Sequence, residues 1–371
     1  MAEPLAGLDD IDWAGLRHAY GSAEDVPGLL RALSSSDEDE RNAALSELFT
    51  NIHHQGSRYS ASAAAVPFLL ALASDPGAPE RTWPLYLAVA LAIGFDESHL
   101  PSGVDITAWR EEAARPRATD PADQAHRPDA WVAGLAAYDA VRTGLPTVLH
   151  LLGDQDSGVR ATAAYAAGWF PEEAATALPA LGALLDVEQD PNVIAHALVS
   201  GGLLDGRTLI PRLREHMAGV EPLPRWAAAI ALARLDAADP PVIAELAARS
   251  ATPPEEPAAF LNGDLRLYSA LTLAALDEPA GDAVDAVLEG LSRTSDDASF
   301  PMAAAALKLT FRTPVLPLPP FADLTTAQQR TVRTIAELPS ESWQWINLME
   351  ILGDWGLPTD RGECRRYAGI G

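Results

Sequence analysis

Asp156–Gly168 reads DSGVRATAAYAAG, and this stretch decides the fold. An acidic residue stands where a helix would begin, and Arg160 follows four places later. Alanines at 163 and 166 then recur at helical spacing. A carboxylate at a helix start accepts hydrogen bonds from the free N–H groups of the first turn. Small residues on one helix face let a neighbouring backbone come close, and larger apolar residues then interlock around them. The same register returns at Arg41 (ERNAALSEL), Arg81 (ERTWPLYLAVAL), Arg225 (LPRWAAAIALARL) and Arg266 (DLRLYSALTLAAL). Without the arginine it returns at Ile194 (PNVIAHALVSGGLL) and Met302 (FPMAAAALKL). The spacing is about 30 to 40 residues, the period of helix-pair repeats. One double-length gap separates Arg81 from Arg160.

Each of these helices follows another amphipathic segment: Val26 to Leu33, Ala63 to Leu72, Leu145 to Leu152, Ala177 to Leu185, Ile210 to Met217, Val242 to Ala248 and Val284 to Leu291. Leucine and valine recur there at three- and four-residue steps, as a core-facing helix requires. The pattern predicts an all-α chain, a right-handed α-solenoid (superhelix) of about seven to eight helix pairs. Residues 1–25 read as an N-terminal cap helix. The solenoid follows over 26–312, with an insertion at 96–128. A proline-rich connector and a C-terminal helical cap fill 313–371. The insertion is long for a loop, which suggests an ordered lid or a segment without fixed structure.

Composition sets the outer limits. The 371 residues carry 52 acidic against 26 basic side chains, a formal charge of −26. Binding to a duplex normally needs clustered lysine and arginine, so this balance argues against nucleic acid and against an anionic membrane surface. It suits solubility, and it suits a basic protein partner. The single cysteine, Cys364, allows no intrachain disulfide and fits a reducing, cytoplasmic setting. Neither a leader segment nor a membrane-spanning run is expected.

The repeat resembles the HEAT and phycobilin-lyase-type repeat families. The residues that carry the likeness are Asp156, Val159, Arg160, Ala163 and Ala166, and it extends over roughly Val26 to Leu309. It implies the fold and says little of function. In such repeats the aspartate caps and the arginine braces a neighbouring pair. A second likeness concerns Asn51 to Phe68, which opens NIHHQGSRY, and Ile11 to Pro27 (IDWAGLRHAYGSAEDVP). Both resemble stretches of bacterial HEAT-repeat proteins, and the resemblance implies an immunity or toxin-neutralising role.

The turn at His53, His54, Gln55, Arg58 and Tyr59 holds more polar chemistry than a connecting turn needs. It reads either as a pocket that donates hydrogen bonds to a ligand or as an inter-repeat turn whose polar groups satisfy one another. Arg81, Trp83, Trp169 and Trp226 fall on second helices of pairs, the elements that line the inner face of such solenoids. They read either as a contact surface or as fillers of inter-helix gaps. No metal is expected, because adjacent His53 and His54 would point about 100° apart on a helix. No cofactor is expected either, as the usual phosphate-loop and nucleophile motifs are missing. The leading functional reading is a scaffold gripping a protein partner on its concave face. The alternative is an atypical enzyme or small-molecule binder, biosynthetic or lyase-like, using the groove. Whether the chain is an enzyme stays open at this level.

Overall fold

The structure, a computed structural model, describes residues 3–115, 128–277 and 281–370. The stretch from 116 to 127, most of the expected insertion, lies outside the described residues. The chain divides into two compact units, Met1–Gly206 and Arg207–Gly371.

In the first unit the helices run in sequence as α1 (Val26–Ala32), α2 (Glu38–Ile52), α3 (Ser60–Ser74), α4 (Thr82–Ile93), α5 (Ile106–Ala114), α6 (Pro128–Thr143), α7 (Leu145–Leu151), α8 (Ser157–Ala167), α9 (Ala174–Val187) and α10 (Pro191–Leu203). Helix α1 packs on α2, α3 on α4, α7 on α8 and α9 on α10. The second members stack in turn, α2 on α4, α4 on α8 and α8 on α10. Helix α6 is an addition to the repeat and lies against both α3 and α4.

The second unit repeats the scheme with α11 (Ile210–Ala218), α12 (Pro222–Arg234), α13 (Pro240–Ala251), α14 (Leu265–Ala275), α15 (Gly281–Ser292) and α16 (Ser299–Phe311). Helices α11 and α12, α13 and α14, and α15 and α16 form its pairs. After the proline-rich connector come α17 (Thr326–Ala336), α18 (Ile346–Asp354) and α19 (Arg361–Tyr367). The Tyr367 hydroxyl ties the end of the chain to the connector by donating to the Pro319 carbonyl at 2.7 Å. The chain is thus all-α and built of solenoid-type helix pairs.

The pattern in Asp156–Gly168 works as its chemistry suggests. The Asp156 carboxylate caps α8, accepting from the Gly158 and Val159 amides. Arg160 reaches to the end of α9, where its Nε and Nη2 donate to Glu188 at 2.7 and 3.1 Å. Arg81 does the same across the insertion, donating to both oxygens of Asp154 at 3.0 and 2.5 Å and to the Ala73 carbonyl. Arg225 pairs with Glu245 on α13. The alanine face allows close approach: a Cβ on Gly168 would fall 2.6 Å from Ser200 Oγ on α10, and that hydroxyl donates to the Ala164 carbonyl at 2.7 Å. Leu30, Leu48, Leu69 and Leu91 are fully buried in the first unit, each worth roughly 2 kcal/mol of apolar burial.

The expected cap helix over 1–25 is not formed by the described residues 3–25. They form single 3-10 turns at Leu8–Asp10 and Trp13–Gly15, then a two-residue hairpin pairing Arg17–His18 with Gly21–Ser22. Gly7 at φ 82° and Gly21 at φ 139° adopt backbone angles that interrupt any helix. The Asp12 side chain accepts from the Gly15 amide and closes a local turn instead. Within the expected insertion, Ile106–Ala114 is helical and is capped by Asp105.

Candidate binding site around Arg58

The chain leaves α2 through two residues in left-handed backbone, Gln55 at φ 49° and Gly56 at φ 77°. Helix α4 ends the same way at Gly94, φ 75°. Glycine is required at both ends for space as well as for backbone angle. A Cβ on Gly56 would fall 2.8 Å from the Phe95 ring, and one on Gly94 would fall 2.3 Å from Arg58 Nη1. Two helix C-termini therefore meet around one guanidinium, a favourable place for a cation because helix carbonyl dipoles point there. Arg58 Nη1 donates to the Gly56 carbonyl. On the α6 side Gly134 leaves room, since a Cβ there would fall 2.8 Å from Nη2. The guanidinium carbon stands 5.7 Å from the centroid of the Trp109 ring, within range of a cation–π contact.

Among the described residues no carboxylate lies within 4 Å of Arg58, and its buried Nε has no hydrogen-bond partner. Burial pushes its pKa down to about 10. His53 stands edge-on between Phe49 and Phe95, at 5.8 and 5.5 Å. Its buried Nε2 has no partner either. Burial, with the nearby Arg58 charge adding to it, pushes His53 down to about 4, although the Gly94 and Ala90 backbone groups pull the other way. His99 is lowered in the same direction, by burial first and Arg58 besides, while its Nε2 sits 2.8 Å from the Ile93 carbonyl. His99 packs on Trp109 at 5.2 Å, and Trp109 on Trp131 at 6.1 Å.

The residues singled out in the sequence do not all meet here. His53 and Arg58 meet at this site. His54 and Gln55 lie on its outer edge: the Tyr20 hydroxyl is 3.3 Å from His54 Nδ1, and Gln55 is exposed. Tyr59 is partly buried at the start of α3, where its amide donates to Ser62 Oγ. The two distinctive stretches of the sequence, 11–27 and 51–68, pack together here. Asn51 Nδ2 donates to Asp25, Asp25 lies 3.0 Å from His18 Nε2, and the Ala19 amide donates to the Asn51 carbonyl.

Arg81 stands apart as a brace between pairs, committed to Asp154. Trp83 is 48% exposed and lines a shallow hollow with Arg41, Asn42 and Glu80. It touches Tyr86 edge-on at 5.7 Å, and Tyr86 in turn meets Phe49 at 6.4 Å. Trp169 and Trp226 are not contact surface. Both are fully buried; Trp169 packs on Tyr165, and Trp226 donates from Nε1 to Ser269 Oγ at 3.0 Å in the second unit. Trp226 lies on α12, whereas Trp169 lies in the turn just past the end of α8 rather than on it, and each ring fills a gap between packed helices, so burial wins over exposure at both positions.

The sequence reading passed over Phe95, His99 and the glycines at 94 and 134. The available signal was the Gly94–Phe95 break immediately after an unbroken apolar helix. Among the described residues no cluster of three or more His, Cys, Asp or Glu side chains could hold a metal ion. No helix there is long and apolar enough to cross a membrane.

Stacked helix pairs, aspartate caps and arginine braces define a helical-repeat protein. Residues 115–200 match the sequence model for HEAT repeats. Among solved structures it is similar to the complex of CpcE and CpcF of phycocyanin lyase from Nostoc sp. PCC7120, at 18% identity and a TM-score of 0.46, over 83% of this chain and 92% of that one. An engineered protein is also similar, at 18% identity and a TM-score of 0.31, over 93% of this chain and 97% of that one. Neither likeness carries function across. No curated protein matches the sequence significantly.

Proposed function

We propose that the chain is a protein-interaction scaffold and that its first unit presents the contact surface. The observation that carries this reading is a set of large exposed aromatics joined by ring contacts. Trp83, Phe95 and Trp131 are 48%, 44% and 42% exposed. Each rests on a partly or fully buried ring: Trp83 on Tyr86, Phe95 on His53, Trp131 on Trp109. Rigid aromatic side chains lose little entropy when covered and dominate binding hot spots. Helical repeats offer extended surfaces for this purpose without a catalytic pocket. The −26 charge favours a basic partner, whose approach it would speed at low salt. The finer reading, an immunity-type factor that neutralises a toxin, draws on the resemblance of the 11–27 and 51–68 stretches. The test is a Trp83→Ala, Trp131→Ala variant. It keeps its melting temperature, because both rings are half exposed, and it loses the partner.

A further inference from the structure

We propose that Arg58 heads a binding site for a small monoanionic carboxylate carrying an apolar body. The assignment is independent of the partner reading, because it is read on ligand alone. The planar guanidinium presents donors in a fork that matches a carboxylate. Three repeat-register arginines are paired with carboxylates, Arg81 with Asp154, Arg160 with Glu188 and Arg225 with Glu245, while Arg41 and Arg266 donate to backbone carbonyls. Among the described residues Arg58 donates to the Gly56 carbonyl and its Nε is buried without an acceptor, as in Arg266, but Arg58 differs in standing beside a second unsatisfied polar atom and exposed aromatic rings. A desolvated cation without a counter-ion is costly to a fold. Yet glycines at 94 and 134 clear the space that holds it, as a Cβ at either would strike the guanidinium.

A second polar atom in the same place is also unsatisfied. His53 Nε2 is buried without a partner, and its ring, like Arg58, borders Gly94. The rims are apolar and reachable, Phe95 on one side and Trp131 beside Trp109 on the other. Burial holds both nearby imidazoles neutral at pH 7, so the site offers one positive charge. One charge in a chain of net −26 suits a monoanion and disfavours a phosphate dianion.

The full chain is titrated with phenylacetate, indole-3-acetate and octanoate, following heat by calorimetry and tryptophan fluorescence, since Trp109 lies under the guanidinium. Phenylacetamide is the neutral control and inorganic phosphate the dianion control. At least one of the three acids binds saturably. Its binding weakens roughly tenfold or more in Arg58→Gln, the loss expected for one charge-assisted hydrogen-bonded pair. If phenylacetate is the binder, phenylacetamide binds weaker by a similar factor. The melting temperature of Arg58→Gln stays level or rises, because an uncompensated buried charge has been removed. Four results would overturn the assignment: no saturable binding by any of the acids, phenylacetamide binding as well as phenylacetate, phosphate binding more tightly than the acids, or a folded Arg58→Gln that binds as the wild type does. Should Arg58→Gln fail to fold, the comparison of acid with amide on the unaltered chain still decides.

Discussion

At the scale of single residues, burial decides which polar groups are braces and which titrate in the working range. His53 and His196 are both pushed down to about 4, chiefly by burial. Each folded pKa lies below the unfolded value near 6.5, so between the two the unfolded chain binds more protons. Stability from these groups is therefore complete above about pH 6.5 and is lost as pH falls towards about 4. The loss should be on the order of 3 kcal/mol per histidine. Urea unfolding at pH 7, 5.5 and 4.5 measures it, and His53→Phe should flatten the slope across that window. An unchanged slope in the variant would place the imidazole in solvent.

At the scale of the element, the recurring arginine is what couples one helix pair to the next. Arg81 and Asp154 are only 12% and 15% exposed in their side chains, and the Arg81 hydrogen bonds hold the Asp154 carboxyl below its usual range. Arg81→Ala leaves a largely buried carboxylate unpaired, and stability should fall by about 3 kcal/mol. By contrast Arg31 and Asp9 are exposed at 47% and 82%, and removing that pair should cost about 0.5 kcal/mol or less. Chemical denaturation of the two alanine variants separates the cases. The helix pairs were legible in the sequence because their signals are local: a capping aspartate, an arginine, and small residues at helical spacing. The N-terminal segment was misread because Ile11–Leu16 has a helix-like apolar spacing, while the glycines at 7, 15 and 21 and the Asp12 turn prevail over it. The turn at His53–Tyr59 stood out by residue type alone. That Arg58 has no carboxylate partner among the described residues could not be read in advance, since a partner depends on which distant segments fold against it. The burial of Trp169 and Trp226 is hidden for the same reason.

At the scale of the whole molecule, nearest-neighbour packing makes each unit answerable to its own contacts. Met1–Gly206 contains the aromatic surface, the Arg58 site and four helix pairs. Produced alone, residues 1–206 should give a helical circular-dichroism spectrum and a cooperative melt. A spectrum of unfolded chain would mean that this unit depends on residues beyond 206.

The account turns on the exposed aromatics of the first unit, and one experiment addresses them most directly. The full chain and its Trp83→Ala, Trp131→Ala variant are each immobilised in native lysate, and what stays bound is weighed by intact mass. The account predicts a stoichiometric protein on the wild type, absent from a variant that melts at the same temperature. A partner held equally by both, or no protein held by either, would contradict it.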